Sequence, residues 1–128
     1  MPLMNINFVI ASKNPKELSG FYAKINSDKA CKGFNASHYF ISLSNRSKIH
    51  FYRPNENHEW QRKGNSTSLC FQRESCEDPS KIIESWTSEI LKIGGSARGI
   101  PTLANFGSEQ WMIDPEGNQF LILVPYLS

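Results

Sequence analysis

The chain has few cysteines, no long apolar run and no block of like charge, and each shortage closes off a class of protein. Only three cysteines occur among 128 residues, Cys31, Cys70 and Cys76, and none forms a CxxC pair. An odd number cannot all pair internally, so free thiols in a reducing compartment are expected. No apolar stretch approaches the ~20 residues a membrane helix requires. The opening MPLMNINFVI lacks a basic region ahead of a long apolar core, which argues against a signal peptide. The triplets at Asn35, Asn45 and Asn65 then read as chance matches to the glycosylation pattern, and the expected location is cytoplasmic. Fourteen Lys and Arg against twelve Asp and Glu give a net charge of +2, scattered without a basic run. Neither a nucleic acid nor a membrane is an expected partner.

What is present is an ordinary globular composition, 39% hydrophobic and 20% charged. A chain of this length buries roughly two-thirds of the surface its unfolded form exposes, enough for one self-supporting domain. Residues 5–11 (NINFVIA) alternate as a strand does. Asn14-Pro15-Lys16-Glu17 then supplies an N-cap, a proline suited to the first helical turn and a capping-box acid. Leu18, Phe21, Tyr22 and Ile25 follow at spacings of three and four, predicting a helix over 15–25. A weaker strand signal lies near 30–35. HYFISLS (38–44) and SKIHFYR (47–53) read as a hairpin turning at Asn45.

After a polar stretch, residues 54–66, that contains Pro and Gly, the same order returns. TSLCFQRE (67–74) alternates, and Asp78-Pro79 opens a helix that carries Ile82, Ile83, Trp86, Ile90, Leu91 and Ile93 and ends at Gly94-Gly95. Strand patterns follow near 96–100, at 109–114 and at 118–124, the last two joined by Asp114-Pro115-Glu116-Gly117. The expected fold class is α+β. Two βαβββ modules form one curved mixed β-sheet with the helices on its convex face. Module 1 covers about 1–54, a linker about 55–66 and module 2 about 67–128 of a single domain.

The period-two rule sorts the strand residues into two sets. Ile6, Phe8, Ile10, Ile49, Phe51, Leu69, Phe71, Phe120, Ile122 and Val124 form an apolar set suited to cover the helices, with Trp86 in the core. Asn7, Val9, Lys48, His50, Tyr52, Ser68, Cys70, Gln72, Leu121 and Leu123 fall on the other face. That mixture of polar and apolar groups is the usual make-up of a ligand cleft.

Two stretches carry a resemblance to a known family. Asn7 to Asn14, running on to Phe21-Tyr22, is similar to the opening strand and capped helix of the glyoxalase/bleomycin-resistance/extradiol-dioxygenase (vicinal-oxygen-chelate) superfamily. Asp114-Pro115-Glu116-Gly117-Asn118 resembles the Asp-Pro-x-Gly-Asn hairpin before that family's last strand. With the doubled element order, the resemblance covers essentially the whole chain. Metal enzymes of the family draw His, Gln and Glu ligands from four strands. Their positions fall here on Asn7, His50, Ser68 and Leu121. Only His50 among these is a good ligand and Leu121 is none, so no metal and no cofactor are expected. His38, His50 and His58 place two histidines on neighbouring strands and one in the linker, a poor metal spacing.

The function expected from these residues is metal-independent binding of a small organic molecule in a concave cleft by a homodimeric protein. The ligand-binding residues would be Asn7, His50, Tyr52, Ser68, Cys70, Trp111 and Leu121, with Trp60 offering further aromatic surface from the linker. Two alternatives stay open. One is an enzyme of lyase, isomerase or dioxygenase-like type with His50 as its catalytic proton carrier, alone or paired with Cys70. The other is an interaction module with a vestigial cleft.

Overall fold

The computed structural model describes residues 5–56 and 67–127. His58, Trp60 and Asn65 lie outside the described residues. The chain divides into two compact units, Met1–Lys63 and Gly64–Ser128.

In the first unit the order is β1 (Phe8–Ala11), α1 (Pro15–Ile25), β2 (Cys31–Lys32), β3 (His38–Ser42) and β4 (Lys48–Tyr52). The sheet runs β1-β4-β3-β2, with β1 parallel to β4 and the other pairs antiparallel. Helix α1 starts where the sequence signals it. The Asn14 side chain accepts the Glu17 N–H at 3.2 Å while its amide donates to the Glu17 carboxylate at 3.1 Å. This reciprocal bonding satisfies an otherwise orphaned first-turn donor. The helix packs on β3 and β4. Leu18, Tyr22, Ile41, Ile49 and Phe51 are buried there, and Tyr22 stacks on Phe51 with ring centres 5.7 Å apart. Each such side chain contributes about 1.5–3 kcal/mol by leaving water.

The second unit repeats the plan: β5 (Leu69–Gln72), α2 (Pro79–Lys92), β6 (Ser96–Ala104), β7 (Gly107–Ile113) and β8 (Gln119–Pro125). Its order is β5-β8-β7-β6, again with the first pair parallel and the rest antiparallel. Ile83, Trp86 and Ile90 of α2, with Met112, Phe120, Ile122 and Val124 of the sheet, are all buried. Arg73, just past β5, ties the strand to the helix. Its guanidinium lies 4.2 Å from the centre of the Trp86 ring and donates to Glu89 at 3.0 Å. The α+β class and the doubled strand-helix-strands order expected from sequence are both present.

Two details depart from the sequence pattern. Ile6 and Phe8 are 67% and 38% exposed instead of buried, because strand pairing begins only at Phe8 and α1 sits on β3 and β4 rather than on the edge strand β1. Strand β6 extends to Ala104, and its register against β7 shifts between Arg98 and Thr102, where Gly99 takes φ +72°. Buried Gln110 underwrites that bulge by donating its amide to the carbonyls of Arg98 at 3.1 Å and Gly99 at 3.3 Å.

The hairpin motif also acquires a physical role. Asp114 is buried, and its carboxylate accepts the backbone N–H groups of Glu116 at 2.8 Å and Asn118 at 3.0 Å. The Asn118 amide adds a third bond at 2.9 Å, and Gly117 supplies the positive φ of the turn. These contacts make the motif a folding device that fixes the β7–β8 register.

Candidate functional site

The face of the first sheet turned away from α1 is built in rows. Register places Val9 beside His50, His50 opposite Phe40 and Phe40 opposite Cys31. Residues in register share a face, so these four side chains form one row. The next row holds Ala11, Tyr52 and His38. His38 is therefore the diagonal neighbour of His50, within reach of its ring.

The two imidazoles meet. His38 Nε2 and His50 Nδ1 are 2.9 Å apart, with ring centres at 5.1 Å. The backbone N–H of Phe34 donates to His38 Nδ1 at 2.9 Å, and the Phe34 ring stacks on His38. That backbone bond fixes the proton inventory. A neutral imidazole carries one N–H, so a His38 that accepts at Nδ1 must donate from Nε2. His50 then accepts at Nδ1 and carries its own proton on Nε2. A second N–H on either ring would set two N–H groups against each other. Burial first, then His38 and then the Lys48 ammonium, hold the His50 pKa below its ordinary value. Close approach makes this possible on the chain side, since a Cβ at Gly33 would overlap the His38 ring.

Around the pair, the Lys48 ammonium lies 4.8 Å from the centre of the Phe40 ring, and Phe40 tilts against His50 with centres 6.0 Å apart. The Asn7 side-chain oxygen accepts the Lys48 backbone N–H at 2.9 Å. Asn7 thus splices the start of β1 to β4, and its oxygen is already engaged. Tyr52 is half-buried in the row with His38.

The corresponding face of the second sheet is different. Cys70, Leu121, Trp111 and Arg98 stand in one row across β5, β8, β7 and β6. Gln72, Leu123, Glu109 and Thr102 form the next. Trp111 is 39% exposed and Leu121 half-buried. Ser68, just ahead of β5, is exposed. Cys70 is exposed as a residue, yet local burial, with Glu109 adding to it, pushes its thiol pKa up. A raised thiol stays protonated at neutral pH, which disfavours a nucleophile.

Within the first unit the structure joins His50, Phe40, His38, Lys48 and Val9. Within the second it joins Cys70, Leu121 and Trp111. Phe40, Arg98 and Glu109 are not among the candidates the sequence offers, and His38 appears there only in a poor metal spacing. The period-two rule on 38–42 and 107–113 held the signal, but the rows appear only once the registers are known.

The residues at the family's metal positions do not fit a divalent metal. Of the four residues that the resemblance places there, only His50 is a good ligand: the Asn7 oxygen is engaged, Ser68 offers one neutral hydroxyl, and Leu121 has no donor atom. Among the described residues no group of three or more His, Cys, Asp or Glu side chains gathers as a metal site would. Among them, too, no helix is long and apolar enough to cross a membrane.

No protein-family model matches the chain, and no curated protein matches it in sequence. Solved structures do match in fold. A glyoxalase/bleomycin resistance protein/dioxygenase family enzyme from Burkholderia phytofirmans PsJN superposes with a TM-score of 0.72 at 16% identity, over 94% of this chain and 96% of that one. A glyoxalase/bleomycin resistance protein from Albidiferax ferrireducens T118 gives 0.67 at 18% identity, over 92% and 95%. TnmS3, an antibiotic binding protein from Streptomyces sp. CB03234, gives 0.67 at 11% identity, over 98% of each chain. The chain has the fold of the glyoxalase/bleomycin-resistance/dioxygenase proteins, the vicinal-oxygen-chelate fold expected from its two motifs.

Proposed function

We propose that the protein binds a small organic molecule without a metal or resident cofactor, as a sequestering or carrier protein. The observation that carries this reading is the donor set at the four positions the resemblance assigns to a metal: Leu121 has no donor atom, Ser68 a neutral hydroxyl, and the Asn7 oxygen is already engaged, which leaves His50 alone. Around them lie partly exposed aromatic and aliphatic side chains, Phe40 and Val9 in one unit and Trp111 and Leu121 in the other. Such surface suits an organic ligand better than it suits water. One structural neighbour, TnmS3, is an antibiotic binding protein, a parallel for this reading.

In this proposal the first unit offers the ligand His50 and Tyr52, bordered by Asn7, and the second unit offers Cys70, Trp111 and Leu121, bordered by Ser68. His50 presents an N–H outward and so serves as a hydrogen-bond donor. Proton abstraction at Nε2 would require both rings to exchange tautomers against the Phe34 N–H. The proposed protein is a cytoplasmic homodimer, a state that light scattering at tens of micromolar reads directly. The binding proposal is tested by thermal-shift screening of an aromatic and amphipathic metabolite set, followed by calorimetry on Leu121→Glu and His50→Ala. Weakened binding in both folded variants supports the assignment. Unchanged affinity in both removes it.

A further inference from the structure

The first sheet's outer face carries no carboxylate on its strands. No Asp or Glu occurs on any of its four strands; Glu17, Asp28 and Glu56, the acids among the unit's described residues, lie on α1 or in loops. The Asn7 oxygen is spent on the Lys48 backbone, and His50 Nδ1 is spent on His38. Two nitrogen donors stand next to the Phe40 ring to face a ligand. One is His50 Nε2, which has no partner among the described residues and carries a proton by the tautomer argument. The other is the Lys48 ammonium, two residues away on the same face of β4, whose charge is felt at the His50 ring. A neutral N–H donor and a cation flanking an aromatic ring complement an anion that carries an apolar body.

We infer that this face is an oxyanion-binding patch, in which His50 Nε2–H and the Lys48 ammonium take the carboxylate or phosphate group of the small-molecule ligand while Phe40 and Val9 meet its apolar part. The inference rests on the small-molecule reading above and adds the ligand's chemical class. The Phe34–His38 bond is its positioning device. It sets the proton chain so that His50 offers hydrogen outward, and the patch then keeps its donor character at neutral pH without needing an imidazolium.

The test uses the full chain with histidine side-chain nitrogen NMR and three probes: benzoate, its neutral isostere benzamide, and phenyl phosphate. Two-bond proton–nitrogen spectra should show His50 protonated on Nε2 and bare on Nδ1. The opposite tautomer overturns the inference. At low salt, benzoate or phenyl phosphate should bind about tenfold or more tightly than benzamide, as one charge-assisted hydrogen bond implies, and should shift the His50 signals. The stronger of the two anions identifies the oxyanion. Lys48→Gln should abolish the anion preference while Lys81→Gln, on α2, keeps it, each variant first shown to be folded by its thermal transition. Equal or better binding of benzamide, an unchanged preference in Lys48→Gln, or no His50 shift with any probe at millimolar concentration overturns the patch. A hit from the broader metabolite screen that ignores charge would leave the binding reading standing while removing this one.

Discussion

The two units carry the same topology and nearly opposite chemistry on their outer faces. Register equates the rows: Val9, His50, Phe40 and Cys31 in the first unit correspond to Cys70, Leu121, Trp111 and Arg98 in the second. An aromatic occupies the third place in both, Phe40 and Trp111. The second place holds an imidazole in one and an isobutyl group in the other. The helix-side residues of the same strands, by contrast, stay uniform: Ile49 and Phe51 against Phe120 and Ile122, all fully buried. Packing against a helix restricts a strand's inner side chains to well-fitting apolar groups. The outer side chains answer to no such constraint, and there the halves differ: an imidazole pair beside a lysine in one, and Leu121 and Trp111 between Cys70 and Arg98 in the other.

The largest expected effect lies on the helix side. Trp86→Ala should lower stability by about 3–5 kcal/mol in urea denaturation, because the ring is buried and is also capped by Arg73. Trp111→Ala, at a 39% exposed position, should cost under about 1 kcal/mol. Equal losses would erase the distinction between the faces. Next comes the apolar row. Leu121→Glu should weaken a screened ligand about tenfold or more, by setting an unpaired charge in an apolar surround, with the thermal transition of the folded protein little changed.

The third prediction separates the units by pH. His50 has its pKa lowered, with His38 and Tyr52 and the Lys48 charge as the titratable or charged groups beside it and uncharged Val9 on β1. A base depressed in the folded state binds its proton more weakly than in the unfolded chain. The stabilisation is therefore present above the unfolded value of about 6.5 and lost as pH falls through the folded one. The urea midpoint should drop between pH 7.5 and pH 5.5, and His50→Gln should reduce that drop. A drop of the same size in the variant would assign the acid sensitivity elsewhere. The smallest effect belongs to the Arg73–Glu89 bridge. Its side chains are 41% and 62% exposed, so Glu89→Gln should change stability by no more than about 1 kcal/mol. Arg73→Ala should cost more, since it also uncovers Trp86.

The elements were legible because their signals are local. Asn14-Pro15 and Asp78-Pro79 announce the helices, and alternation announces the strands to within a few residues. The limits of that reading are also physical. Periodicity cannot tell which strand lies at an edge, so Ile6 and Phe8 were expected in a core that α1 does not extend over. The length of β6 was hidden by Gly99 and Pro101, which interrupt the pattern at a bulge that Gln110 stabilises from another strand. His38 and His50 were placed on neighbouring strands. Their contact depends on the hairpin register, which turns on the bonding of Leu43 N–H to the Ser47 carbonyl at 2.7 Å. A backbone donor from Phe34 that sets a proton's position leaves no trace in residue type.

The most direct test of the account is chemical-shift mapping of a ligand from the metabolite screen on uniformly labelled protein. Saturable shifts are expected on the sheet faces turned away from the helices, at His50 and Phe40 of the first unit or at Leu121 and the Trp111 indole of the second, with Leu18, Ile83 and Ile90 on the helix side unmoved. Shifts confined to the helix-side residues, with His50 and Leu121 silent at saturation, would contradict it.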